Sequence, residues 1–174
     1  MGLIQTILSN LPEVKGPTEK RLPFKIKLKW TLTILISFFV LRLIPLFGLD
    51  PQGNALKQFE FFSIILAADF GSLISLGIGP IVTASIVLQL LTGSGLLKLD
   101  TTTKEGRIYF QGLQKILTLF FILFEASIYV FMGGLAPPLS LAPAAFRIMQ
   151  LVLVAHLCLG GLLILYMDEV INKW

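Results

Sequence analysis

Apolar residues gather along this chain in long runs separated by short polar segments. Four runs, residues 30–47, 76–97, 108–132 and about 143–167, each approach the ~20 residues that a helix needs to cross a ~30 Å hydrocarbon layer. They predict four transmembrane helices. A fifth run, Phe61 to Leu73, is interrupted by Asp69 and Gly71 and is too short to span, so it predicts a re-entrant half-helix. The first dozen residues differ from all of these. Leu3, Ile4, Ile7, Leu8 and Leu11 recur at helical spacing, with Gln5, Thr6, Ser9 and Asn10 elsewhere on the wheel. That pattern predicts an amphipathic helix over residues 1–12, lying in the membrane interface and ended by Pro12. A basic cytoplasmic linker, residues 13–29, then leads into a transmembrane region covering residues 30–174.

Composition agrees with an all-α integral membrane protein. Of 174 residues, 55% are hydrophobic and 14% charged, more apolar than a soluble domain with one packed core requires. The net charge of +4 sits in short segments beside the apolar runs, where basic residues set topology, so direct binding of nucleic acid is not expected. One cysteine, Cys158, excludes an internal disulfide, and His156 stands alone among leucines and valines. Both read as packing residues, and no metal site is expected. The chain carries no nucleotide-binding loop and no catalytic triad, so neither an enzyme nor a cofactor is expected. Its start, "MGLIQTILSNLPEV", lacks the basic first residues and long apolar core of a cleavable signal peptide.

Charge parity orients the spans. Lys15, Lys20, Arg21, Lys25, Lys27 and Lys29, opposed by Glu13 and Glu19, place the N-terminus in the cytoplasm. With four spans, the loop holding Lys98, Lys104 and Arg107 is also cytoplasmic, as is Lys173, while the outer loops carry mainly Lys57 against Asp50, Glu60 and Asp69. Counting the fifth run as a span puts the 98–107 loop outside. Arg42 and Arg147 fall near the outer ends of their spans and are expected to snorkel.

The segment "FGSLISLGIGPIVTASIVLQLLTGSG", Phe70 to Gly95, is greasy yet broken near its start. Gly77 and Gly79 permit an irregular, hinge-like backbone, and Pro80 suits the first turn of a new helix. In lipid such a break is tolerated where protein or water covers it, which points it at the inside of an assembly; a kinked hairpin without function is the plain alternative. Beyond the break, Ile78, Val82, Ser85 and Gln89 share one side, apolar near the break and polar toward the cytoplasm, as a greasy neck opening into a wet funnel requires. Thr83, Val87 and Leu90 form a neighbouring stripe. Counted at ~1.5 Å per residue, Thr83 lies roughly 22 Å above Lys98 and Glu125 roughly 27 Å above Arg107, so the two fall at similar depth. A carboxylate within a span is a functional candidate by default. Placement of Glu125 near the outer interface, protonated or bonded to a backbone carbonyl, is the other option.

"SLGIGPIVTASIVLQLLTGSG", followed by "FQGLQKILTLFFILFEA" and "LYMDEVINKW", resembles the SecY family, the central subunit of the protein-conducting channel of the secretory pathway, in its archaeal form. The resemblance runs over nearly the whole chain and implies a multi-pass cell-membrane protein: part of one half of a clamshell of two five-helix halves around an hourglass pore. It implies that Ile78 and Val82 belong to an aliphatic pore ring. It implies that residues 59–70 form a plug, with Phe59, Phe61, Phe62, Ile64 and Ile65 expected to rest against Ile78 and Val82. Thr83 and Glu125 resemble two members of a polar lateral-gate cluster whose further partner lies on a later helix. The family continues beyond Trp174 into a fifth span and a second half, so the chain is expected to be an N-terminal piece. The implied partners are that remaining part, the SecE (gamma) and small beta subunits, a ribosome or motor ATPase, the translocating polypeptide and membrane lipid. Such a channel passes polypeptides through a dewetting constriction and releases hydrophobic segments sideways.

Two other classes compete with the channel reading. A secondary transporter also uses discontinuous helices with midplane acidic groups, but it predicts an inverted repeat, and residues 108–174 contain no second Gly-Pro break beside a re-entrant run. A membrane scaffold without transport predicts that pore-face substitutions change no flux.

Overall fold

The computed structural model describes residues 12–17, 22–50, 60–97 and 102–174. The expected interfacial helix therefore lies outside the described residues, apart from its terminating Pro12, and so does Phe59. Among the described residues five helices follow one another: α1 (Phe24–Arg42), α2 (Glu60–Ile65), α3 (Gly79–Gly93), α4 (Lys104–Phe131) and α5 (Pro143–Lys173). Among the described residues, strand-like pairing is confined to one antiparallel bridge, Pro45 to Ser72.

Helix α1 starts six residues earlier than the apolar run, taking in Lys25, Lys27 and Lys29. Lysine is a good helix former, and its stem can lie along apolar surface while the ammonium stays wet. The helix stops at Arg42, short of Phe47, because Ile44 precedes Pro45 and the residue before a proline is driven out of the helical region. Leu43 to Leu49 instead forms an irregular return, with Gly48 at φ +81°.

Helix α3 is likewise shorter than the 76–97 run. Ile78 is its N-cap, with Pro80 at the start of the helix, and Gly95 at φ +76° takes the left-handed turn just past its end. Its 15 residues reach ~22 Å, less than a ~30 Å hydrocarbon layer. Helix α4 begins four residues before Ile108, where the Thr103 hydroxyl accepts a hydrogen bond from the Gly106 amide at 3.1 Å. Helix α5 starts at Pro143 as expected and runs six residues past Met167. Among the described residues two helical stretches, Gly106–Phe131 and Pro143–Lys173, are long and apolar enough to cross a membrane.

The core lies between α4 and α5 and is capped by the segment before α3. Ile122, Ala126 and Val130 from α4 meet Leu153, Leu157 and Leu165 from α5, with Leu46, Leu76 and Leu135 closing the ends. Two adjacent glycines let the backbone approach. A methyl group on Gly160 would overlap the Leu73 carbonyl oxygen, and one on Gly161 would lie 2.9 Å from Ile122 Cγ2. His156 bonds through Nδ1 to the Val152 carbonyl at 3.0 Å, and Cys158 packs against the core. Nothing on α1 is buried. That suits a helix whose outer surface meets lipid.

Candidate functional site

The broken segment is a folded corner. Asp69 accepts from Arg42 Nε at 2.6 Å. The Ser72 hydroxyl donates to the Asp69 carbonyl at 2.8 Å, the Ser75 hydroxyl donates to the Ser72 carbonyl at 2.6 Å, and the Gly71 amide donates to Ser75 Oγ at 2.9 Å. Two backbone bonds join this turn to the return after α1: Leu46 N–H to Gly71 O and Leu73 N–H to Ile44 O, each 2.9 Å. Ile74, Ser75 and Leu76 are almost fully buried. Polar groups deep in a span need partners, and serine hydroxyls supply them here.

Ahead of the corner, the short helix α2 ends in a strained residue. Ala67 has φ +47°, a left-handed backbone that costs an L-residue ~1 to 2 kcal/mol. The strain aims the preceding carbonyl inward: Leu66 O accepts from the Ile78 amide at 2.8 Å. Gly77 is the floor of that seat. It sits at φ +55°, and a methyl group there would overlap Leu66 O and lie 2.9 Å from Ala68 Cβ. Gly79 is needed for a different approach, because its methyl group would lie 3.1 Å from Glu125 Oε2.

Past the corner, Ile78 and Val82 sit one turn apart, 36% and 42% exposed, on a common face. Farther along it Gln89 Nε2 donates to Ser85 Oγ at 3.0 Å. Thr83 and Glu125 come together across α3 and α4, with Thr83 Oγ1 3.5 Å from Glu125 Oε1, the outer limit of a hydrogen bond. The α2 side chains expected to rest against Ile78 and Val82 are largely exposed where they are described. Phe61, Ile64 and Ile65 are 71%, 77% and 57% exposed, and the side chain of Phe62 lies outside the described atoms. Leu66, just past α2, meets the corner through its carbonyl.

Two features of the structure have no counterpart among the sequence expectations. One is the Arg42–Asp69 pair, although both charges are expected near the outer face. The other is Lys115, an ionisable residue within the 108–132 run, a position that itself demands a partner. Lys115 is buried and paired with Glu169 of α5, and it also donates to the Pro12 carbonyl. Glu169 Oε2 accepts from the Val14 amide at 3.1 Å, Lys173 Nζ donates to Val14 O at 2.8 Å, and Trp174 Nε1 donates to Lys15 O at 3.0 Å. These bonds strap residues 12–15 across the C-terminal end of α5 and the Lys115 level of α4, about three turns into that helix. Beside the strap opens a cavity of about 710 Å³, lined by Gln111, Gln114 and Asp168 among others.

Comparison with known proteins places this architecture. A family model described as SecY matches residues 72–174. The chain belongs to the SecY family. A second model, the plug domain of Sec61p, matches residues 36–71, which contain the end of α1, α2 and the start of the corner. The protein translocase subunit SecY of Methanothermobacter thermautotrophicus is 49% identical over 98% of this chain, which spans 35% of that relative. A solved structure of a protein-conducting channel superposes with a TM-score of 0.82 at 34% identity, covering 100% of this chain and 38% of that one. Sec61 in the canine ribosome–channel complex from the endoplasmic reticulum gives the same values. SecY-family membership accounts for the all-helical build of the described residues.

Proposed function

We propose that this chain forms part of the pore subunit of a protein-translocation channel in the cell membrane, with α2 as a plug, Ile78 and Val82 in the constriction, and Thr83 with Glu125 at the lateral gate. The observation that carries this reading is the corner at Leu66–Pro80. It directs two exposed aliphatic side chains to one face, next to a short helix that cannot span, in a SecY-family chain. An aliphatic constriction resists water and ions by dewetting and imposes no sequence code on a passing polypeptide.

The four-span topology draws support from the strap. Residues 13–15 bond to Lys173 and Trp174, so the chain between them crosses the membrane an even number of times. The basic residues near the start of α1 assign that shared face to the cytoplasm. The backbone pairing of 44–46 with 71–73, at the far end of α1 from its basic start, supports a plug on the opposite, outer side. Further helices completing the pore, SecE and beta subunits, and a ribosome or motor are the partners this role needs. The transporter alternative is not favoured by the family match.

The test is single-channel conductance in planar bilayers beside a translocation assay, both on the complete channel. Replacing Ile78 and Val82 together with glycine should raise ion leak, because the neck becomes wider and less apolar, and glycine at Leu90 on the neighbouring stripe should leak less. Equal behaviour of the two faces would remove the assignment of the constriction.

A further inference from the structure

We infer that Gly79 is a positioning residue for the lateral gate: it leaves the gap on α3 in which the Glu125 carboxylate stands, and so sets the reach of that carboxylate to Thr83. This rests on reading Thr83 and Glu125 as gate residues.

Positive φ is not the reason for glycine at this position. Gly77 adopts one, and Gly79 does not. Gly79 is the first residue of α3, a buried helical position where alanine is the better helix former. Space accounts for the glycine. A methyl group there would meet Glu125 Oε2 at 3.1 Å and Glu125 Cδ at 4.0 Å, whereas carbon and oxygen ordinarily stand at ~3.3 Å or more.

Of the groups around this contact, the carboxylate is the one free to give way. On α4, Ala126 and Val130 flank Glu125 and are fully buried in the core shared with α5, so the helix cannot step back. On α3, Ala84 and Leu88 are buried as well, and the Ile78 amide is bonded to Leu66 O at 2.8 Å. A methyl group at Gly79 is therefore accommodated by torsion of the Glu125 side chain, which retreats from α3 by a few tenths of an ångström. The consequence falls one turn on. Thr83 follows Gly79 by four residues, on the same face of α3, and its Oγ1 is 3.5 Å from Glu125 Oε1, already the outer limit of a hydrogen bond. A carboxylate lifted off Gly79 loses Thr83. Hydroxyl and carboxylate then turn separately to whatever enters the seam, which changes the polarity that an emerging segment meets there.

The experiment uses the complete channel and a set of test segments of graded apolarity. Each is scored as the ratio of membrane-integrated to translocated product, so that a general loss of activity does not move the readout. Gly79→Ala should shift the apolarity threshold in the same direction as Thr83→Val and by a similar amount, and the double variant should shift it no further. In a Glu125→Ala background Gly79→Ala should add nothing, because no carboxylate remains to displace. A threshold moved by Thr83→Val but not by Gly79→Ala overturns the inference and leaves the gate reading intact. An additive double variant, or a Gly79→Ala shift that persists without Glu125, also overturns it: Pro80 crowds any side chain placed before it, and that backbone effect is what such a shift would report. If Gly79→Ala does not assemble, Glu125→Asp in the same chain decides. Its shorter side chain withdraws the carboxylate, so recovered assembly supports the inference, and continued failure means that the glycine serves the backbone and overturns it. A threshold unmoved by both Thr83→Val and Glu125→Ala removes the gate reading beneath it.

Discussion

Two neighbouring glycines on α5 give opposite expectations for the same substitution. A methyl group added at Gly161 meets Ile122 Cγ2 at 2.9 Å, Ile122 Cγ1 at 3.1 Å and Leu76 Cδ1 at 3.2 Å. All three are side-chain atoms, and a retreat of about 0.6 Å by Ile122 and less by Leu76 restores contact distance. Overpacking of this type costs ~1 kcal/mol, the low end of the usual range. At Gly160 the added carbon falls on the carbonyl oxygen of Leu73, where carbon and oxygen should stand at ~3.3 Å or more. The backbone must move by more than ~1 Å to make room. Leu73 cannot move alone, since its amide is bonded to Ile44 O at 2.9 Å and it lies between the Asp69 turn and the Gly77 seat. Gly160→Ala is therefore expected to cost ~3 kcal/mol or more, the top of the overpacking range with a lost buried hydrogen bond added.

The assay is thermal stability of the detergent-solubilised complete channel, followed by the loss of its monodisperse elution peak. Gly160→Ala should lower the transition well beyond Gly161→Ala. The rescues should also separate. Ile122→Ala removes both Cγ atoms and should couple favourably with Gly161→Ala in a double-mutant cycle, whereas Leu73→Ala should leave Gly160→Ala unrelieved because the obstacle is backbone. Equal destabilisation by the two glycine variants, or rescue of Gly160→Ala by Leu73→Ala, would refute the close approach of the corner to α5.

Much of this corner is legible in the sequence, and the unread part has a physical cause. The break itself is visible because Gly-x-Gly-Pro inside an apolar run has few conformational outcomes. The rise per residue puts Thr83 and Glu125 at similar depth, but equal depth does not make two side chains face each other, so their 3.5 Å approach is only half legible. Helix ends are less legible. Hydropathy marks where lipid begins, not where backbone hydrogen bonding stops, so α1 extends back through its lysines and α3 is shorter than its apolar run. The least legible elements are those made by backbone in trans. A carbonyl such as Leu66 O has no sequence signature, and its seat depends on a positive φ at Ala67, a residue type that rarely adopts one. The strap is hidden for a related reason: its acceptors and donors at Pro12, Val14 and Lys15 are main-chain groups.

Three further outcomes are expected. Cysteines at Thr102 and Lys173 should react with impermeant thiol reagents from the cytoplasmic side and one at Gln52 from outside; outside labelling of position 102 would end the four-span topology. Thr83→Val should leave stability close to that of the parent, because the 3.5 Å contact with Glu125 is marginal, while shifting the apolarity at which a test segment exits into lipid. An unchanged exit threshold would remove Thr83 from the gate. The last concerns Lys115, whose side chain is 8% exposed against 15% for its partner Glu169. Lys115→Met leaves a carboxylate with little water around it and strips a donor from the Pro12 carbonyl. Removal of one member of a buried pair costs ~3 to 5 kcal/mol, and the residual exposure of Glu169 puts this case at the lower end. Lys115→Met with Glu169→Gln should recover part of that loss, because the uncompensated charge is gone and the glutamine amide oxygen can still accept from Val14. The thermal transition of the complete channel reads both variants, and proteolysis at residues 12–17 reads the strap directly. Lys115→Met should expose that segment to protease, and a double variant no more stable than the single would mean that packing of the lysine stem, rather than its charge, holds the strap.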